Sequence, residues 1–158
     1  MNLFKTLALE DSIEIKTSPE IVWEYFCNLE NNYKKWHPEH VVFKWLGKPM
    51  ESGSAWYAEE YAKGKLFKLK GTVGEVVLYR RIIFKYSFPI SFVSRGFEWI
   101  IERGNSYSTF TAVSYMRAEG LMRLLAKYLE RKDFDALLEA TRSHVKEEGN
   151  NLKNTLEQ

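Results

Sequence analysis

The chemistry available to this 158-residue chain gathers around its three histidines, which stand in two places. His144 and Glu148 lie four residues apart in a segment of helical periodicity, so both side chains share one face and neighbour each other. At ~100° per residue, Phe134, Leu137, Leu138, Thr141, Val145, Leu152 and Leu156 fall in the same arc of ~120°, with Glu139, Arg142, Lys146, Glu147 and Lys153 outside it. That face is therefore the inward one. A carboxylate buried there needs a cation, a hydrogen-bond donor or a proton, because leaving it unpaired is costly. The other two histidines occupy His37-Pro38-Glu39-His40, where the chain enters a strand-rich region. Glu59 and Glu60 stand mid-strand among Trp56, Tyr57 and Tyr61, and alternation sends one of them inward and the other outward. Imidazoles and carboxylates from a helix, a loop and a strand would make a two-histidine, two-carboxylate site suited to zinc, with iron or manganese as rivals. The competing reading is a helix-edge pair in which His144 and Glu148 bond only each other.

Positioning these groups falls to a simple series of elements. Ser12 to Lys16 alternates as a strand does, and Ser18-Pro19 supplies an N-cap with proline at the first helical position. Ile21, Val22, Tyr25 and Phe26 then repeat at helical spacing, the helix dying near Cys27 to Glu30 with a shorter turn over Tyr33 to Trp36. From Val41 to Arg117 the texture is a strand meander, with strands expected near Val41 to Leu46, Ser54 to Tyr61, Leu66 to Val77, Arg81 to Phe88, Ser91 to Glu102 and Tyr107 to Arg117. Lys63-Gly64 and Gly104-Asn105 are the clearest hairpin turns. Beyond Gly120, Leu121, Leu124, Leu125 and Tyr128 read as a short helix, and about Asp133 to Leu156 as a long one.

Composition narrows the function classes. The length suits a single domain spanning residues 1–158 with one sizeable core. Twenty-three basic and 21 acidic residues are mixed along the chain, so no basic stripe argues for nucleic acid. No apolar run approaches a membrane span, which speaks against stable insertion in a membrane. One cysteine, Cys27, packs rather than reacts and points to the cytoplasm. Gly71-Thr72-Val73-Gly74 precedes a strand, not a helix, and no serine sits in a nucleophile elbow.

The order of elements, together with the opening Ile15-Lys16-Thr17-Ser18-Pro19-Glu20-Ile21-Val22-Trp23, resembles the START-like (SRPBCC) superfamily from Ser12 to Leu156. That resemblance implies an α+β helix-grip fold: a curved antiparallel sheet wrapped around a long C-terminal helix, with two short helices after the first strand. A cavity between them would take a hydrophobic or aromatic small molecule, lined from among Trp23, Trp36, Trp45, Trp56, Trp99, Tyr33, Tyr57 and Tyr61. Tyr33-Lys34-Lys35-Trp36-His37-Pro38-Glu39-His40, the strand Gly53 to Tyr61, and His144-Val145-Lys146-Glu147-Glu148-Gly149 are similar to the diacetylphloroglucinol hydrolase branch. Those enzymes cleave a carbon–carbon bond between an acyl group and a phenolic ring. The likeness implies Zn2+ held by His40, Glu60, His144 and Glu148, with His37 as the alternative to His40 and Glu59 to Glu60. Zinc would lower the pKa of a water toward ~7 for attack on the carbonyl. Tyr33, Tyr57, Tyr61 or an unligated His37 would deliver a proton to the departing ring carbon. The two loop histidines are one residue closer together than the branch's pattern, and an N-terminal region of the hydrolases has no counterpart. A non-catalytic carrier of a lipid or hydrophobic metabolite, and a metal-free polyketide cyclase or aromatase, use the same cavity. Either a monomer or a homodimer fits.

Overall fold

The computed structural model describes residues 6–117 and 131–158, with side chains of the last segment from Asp135 onward. The short helix expected over Leu121 to Tyr128, and the Phe134 side chain, lie outside the described residues.

Strand β1 (Thr6–Ile15) leads into helices α1 (Pro19–Cys27) and α2 (Leu29–Trp36). Strands β2 (His40–Trp45), β3 (Ala55–Ala62), β4 (Lys65–Val77), β5 (Arg81–Tyr86), β6 (Ser94–Arg103) and β7 (Ser108–Arg117) follow, and then helix α3 (Arg131–Leu156). The strands form one antiparallel sheet in the order β1-β7-β6-β5-β4-β3-β2. Apart from β1, which returns to pair with the last strand, neighbours in sequence are neighbours in space. Register shifts at His40/Val42, Val73/Val76 and Ser94/Gly96 are the points where extra residues bend and twist the strands. With α3 packed on β1, β7 and α2, this is the curved sheet gripping a C-terminal helix that the sequence predicts.

Local chemistry explains the boundaries. Ser18 caps α1, its hydroxyl accepting from the Ile21 amide at 3.4 Å, and Pro19 opens the first turn. Asn28 separates α1 from α2: its carbonyl accepts from the Asn31 and Asn32 amides, so the segment expected as a turn is a two-turn helix. Lys63 and Gly64 take φ values of 49° and 74°, as a tight hairpin with two left-handed residues requires. The strand expected from Ser91 begins only at Ser94, because Pro89 is followed by a 3-10 turn over Ile90–Phe92. β1 extends back to Thr6, its ten residues pairing from Thr6 with Arg117 to Ile15 with Ser108.

The concave face is aromatic. Phe26 from α1 stacks on Trp99 at 4.1 Å, Phe84 on Phe97 at 4.4 Å, and Phe43 lies parallel to Trp56. All five tryptophans are buried, whereas Tyr61 is 45% exposed and lines no interior. On α3, Val145 and Leu152 are buried against this core while Arg142, Lys146 and Glu147 are exposed, which is the stripe the periodicity predicts.

Candidate functional site

Three elements bring the chemistry together at one end of α2. That helix stops at Trp36 because His37 turns to extended backbone (φ −145°, ψ 140°) ahead of Pro38. The loop then folds back on itself: the His40 amide donates to the His37 carbonyl at 3.1 Å, and the Tyr61 amide donates to the Glu39 carbonyl at 2.8 Å. β2 thus starts at His40, directly across the ladder from Glu60 on β3. From the other side, the Trp36 indole N–H donates to the Glu148 carbonyl at 2.9 Å and holds α3 against α2 at this level.

His40 is completely enclosed. Its ring lies flat on Tyr33, centroids 3.9 Å apart and planes within 4°, and its Nδ1 is 3.1 Å from the Tyr33 carbonyl. A carbonyl only accepts, so Nδ1 carries a hydrogen and Nε2 is the ring nitrogen turned toward the carboxylates. That nitrogen stands 3.1 Å from Glu148 Oε1 and 3.9 Å from Glu60 Oε2, yet is not aligned for a hydrogen bond to any described residue. His144 turns its own Nε2 to the same Glu148 oxygen at 3.3 Å, and its Nδ1 to Glu39 Oε2 at 3.1 Å. Ligand atoms of the three histidines all lie within 4.8 Å of one another.

These distances allow a fit test. Four ligands at ~2.0–2.2 Å from a tetrahedral ion stand ~3.3–3.6 Å from each other. The separations of 3.1, 3.3 and 3.9 Å among His40, Glu148, His144 and Glu60 bracket that range. A buried imidazole nitrogen without an aligned hydrogen-bond partner, set beside a carboxylate oxygen, is chemistry that suits a divalent cation. The residues present therefore fit zinc.

The clustered carboxylates and imidazoles shift one another's protonation. Burial alone would lower His144, but Glu148, Glu60 and Glu39 outweigh it and push the imidazole up to about 10. Burial would raise Glu148, but His144 and then His40 hold its carboxyl well below the usual carboxylate range. Burial, with Glu60 and Glu148 adding to it, keeps the Tyr33 phenol protonated well above its ordinary value, and its hydroxyl donates to Glu60 Oε2 at 2.8 Å.

The sequence left two choices open, and the hydrogen bonds separate them. His37 has no free nitrogen: Nδ1 accepts the Glu39 amide at 3.1 Å, so Nε2 carries the hydrogen and donates to Glu147 Oε2 at 3.0 Å. Burial and then the neighbouring His144 push His37 below its ordinary value. The loop therefore presents His40, not His37, to Glu148. Glu60 faces the cluster, while Glu59 lies on the opposite face of β3 and accepts from Tyr57 at 2.5 Å. Tyr57 as proton donor is thereby corrected: strand alternation carries it away from the site with Glu59.

Two participants escaped the sequence reading. Glu39 was noticed only as part of the loop. Tyr86 shares the inward alternation of Ile82 and Phe84 on β5, which was a usable signal; burial and the charges of Glu60 and Glu148 push its phenol well up.

Comparison with known proteins places this architecture. Residues 6–146 match the family described as polyketide cyclase / dehydrase and lipid transport, and the chain belongs to that family. Among solved structures, the chain is similar to the Zhui aromatase/cyclase from Streptomyces sp. R1128, with a TM-score of 0.71, 16% identity, and coverage of 97% of this chain and 94% of that one. It is similar to the KanY protein with a TM-score of 0.68, 18% identity, and 98% and 99% coverage. The di-domain ARO/CYC BexL from the BE-7585A biosynthetic pathway gives a TM-score of 0.72 at 12% identity; 97% of this chain is covered, and it spans only 50% of the BexL chain. At these identities the likeness is one of fold. No curated protein matches the sequence. Among the described residues no helix is long and apolar enough to cross a membrane.

Proposed function

We propose that this chain takes up a hydrophobic, carbonyl-bearing molecule of the polyketide kind in the cytoplasm and acts on it beside a divalent cation, zinc foremost. His40, Glu60, His144 and Glu148 would hold the ion. The observation that carries this reading is His40 Nε2, buried 3.1 Å from a Glu148 oxygen without an aligned hydrogen bond to it. A buried ring nitrogen left without an aligned hydrogen bond beside a carboxylate is costly, and a cation held by both groups would offset that cost. A proton there would sit on a well-aligned hydrogen bond, and a cation requires no such alignment.

When bound, the ion would polarise a ligand carbonyl and make water a better nucleophile. The chain's own groups do the rest. Tyr33 holds Glu60 through its hydroxyl and, as a phenol kept protonated, is a source for the proton that a departing ring carbon needs. Tyr86, protonated for the same reasons, is a second source. The reaction best matched by this set is hydrolytic removal of an acyl group from a phenolic ring, in line with the resemblance to the diacetylphloroglucinol hydrolases.

A second reading is favoured by the aromatase/cyclase neighbours: cyclisation without metal, with the His144 imidazolium and Glu148 carboxylate as acid and base. Elemental analysis separates the two. Protein expressed with added zinc and purified without a polyhistidine tag should carry one zinc per chain, and His40→Ala and His144→Ala should lose it with unchanged sheet circular dichroism. Metal-free wild type that cyclises a poly-β-ketone would overturn the first reading in favour of the second.

A further inference from the structure

The Glu39 carboxylate ends 3.1 Å from the one nitrogen of His144 that Glu148 does not engage. We propose that Glu39 is a positioning residue: it takes the Nδ1 hydrogen of His144 and so fixes that ring with its Nε2 turned toward Glu148. This rests on the reading of His144 as a working imidazole.

The loop is built to aim this carboxylate. His37 gives up both nitrogens to structure, receiving the Glu39 amide on Nδ1 and donating from Nε2 to Glu147 of α3. Glu147 is itself held by the Ser143 hydroxyl at 3.0 Å. The Glu39 carbonyl is pinned by the Tyr61 amide of β3. With its amide and its carbonyl both tied, Glu39 has only its side-chain torsions free, and His144 lies within their reach. His40 receives the same treatment from the Tyr33 carbonyl. Each of the two imidazoles that turn Nε2 toward Glu148 thus has an acceptor on its far nitrogen, a main-chain oxygen in one case and a carboxylate in the other. An outer acceptor of this kind sets the tautomer and orientation of an imidazole, and losing it typically weakens metal binding ~10–100-fold.

Two measurements on full-length protein test the assignment. In metal-free protein, a ring N–H held by an acceptor gives a slowly exchanging, downfield proton resonance; that of His144 should vanish in Glu39→Ala and persist in Glu39→Gln, whose side-chain carbonyl still accepts. Zinc affinity, read by competition with a fluorescent chelator, should fall ~10–100-fold in Glu39→Ala and be largely restored in Glu39→Gln. A Glu39→Ala protein that keeps the resonance and the affinity overturns the proposal. A glutamine variant as poor as alanine overturns it too, since Glu39 would then act through charge alone. If wild type binds no zinc while the His144 resonance depends on residue 39, the positioning role stands and the cation reading falls.

Discussion

Replacing Glu148 by glutamine removes the charge on which two imidazoles converge, and metal-free protein in chelator is the place to measure the effect. At an effective dielectric of ~20, charges ~3.2 Å apart attract by ~5 kcal/mol before the cost of burial is subtracted. The Glu148 side chain is 14% exposed, so that cost is substantial, and removing one partner of such a pair leaves a net loss of ~3–5 kcal/mol. For a chain of this size each kcal/mol moves the melting temperature by ~2–4 °C, so the variant should melt ~6–20 °C lower near pH 6. The pH dependence has a definite sign. His144 is raised from 6.5 to about 10, so its contribution is complete below pH 6.5 and fades as the pH climbs toward 10. Glu148 is lowered from 4.5, so its contribution is complete above pH 4.5 and fades as the pH falls below that. The gap between wild type and variant should therefore be widest between about pH 4.5 and 6.5 and narrow on both sides. Melting curves by circular dichroism across that range provide the assay. A variant within ~2 °C of wild type at pH 6, or a gap that is the same at pH 6 and pH 10, would refute the reasoning.

The remaining predictions probe the loop, the strand and the packing. His40→Asn should abolish zinc retention, whereas His37→Asn, which disturbs only the loop's anchoring, should weaken it no more than Glu39→Ala does; equilibrium dialysis distinguishes them. Tyr57→Phe should leave zinc retention and turnover unchanged, because its hydroxyl bonds Glu59 on the far face, while Tyr33→Phe frees Glu60 and should lower turnover. Gly71→Ala should cost ~3 kcal/mol or more, or prevent folding, since a Cβ would stand 1.8 Å from the Lys85 carbonyl oxygen and 2.8 Å from Trp56 Cζ2. Gly149→Ala should instead raise stability by ~0.5–1 kcal/mol in a denaturant titration, because the new methyl meets Ile13 Cγ2 at an ordinary 3.4 Å inside a helix where glycine is unfavourable.

How far the sequence can be read follows from what each residue depends on. Periodicity is local, so the sheet, the first helix and the inward stripe of α3 were legible from Ser18-Pro19, from the alternation of β2 to β7, and from Val145 and Leu152. Thr6 to Asp11 were missed because their strand character comes from the β7 ladder and not from their own alternation. The site was legible as a set of side chains, since carboxylate and imidazole on an apolar face conflict with burial wherever they occur. Which loop histidine faces Glu148 was not legible. His37 and His40 have the same chemistry, and only the partners of their ring nitrogens, a neighbouring amide for one and the Tyr33 carbonyl for the other, assign them different work. Glu39 was illegible for the same reason: its role is defined by a residue 105 positions away.

That separation along the chain sets a timetable for a newly made molecule. His40 and Glu60 leave the ribosome more than ~80 residues ahead of His144 and Glu148, an interval of ~4–17 s at ordinary rates of synthesis. During it the sheet can pair strand by strand, but Trp36 has no Glu148 carbonyl to grip, and His40 faces only Glu60 across the ladder. The four side chains become a set only when α3 docks, so until then a nascent chain holds at most half of the cluster, and whatever the cluster captures is captured only once that helix is in place.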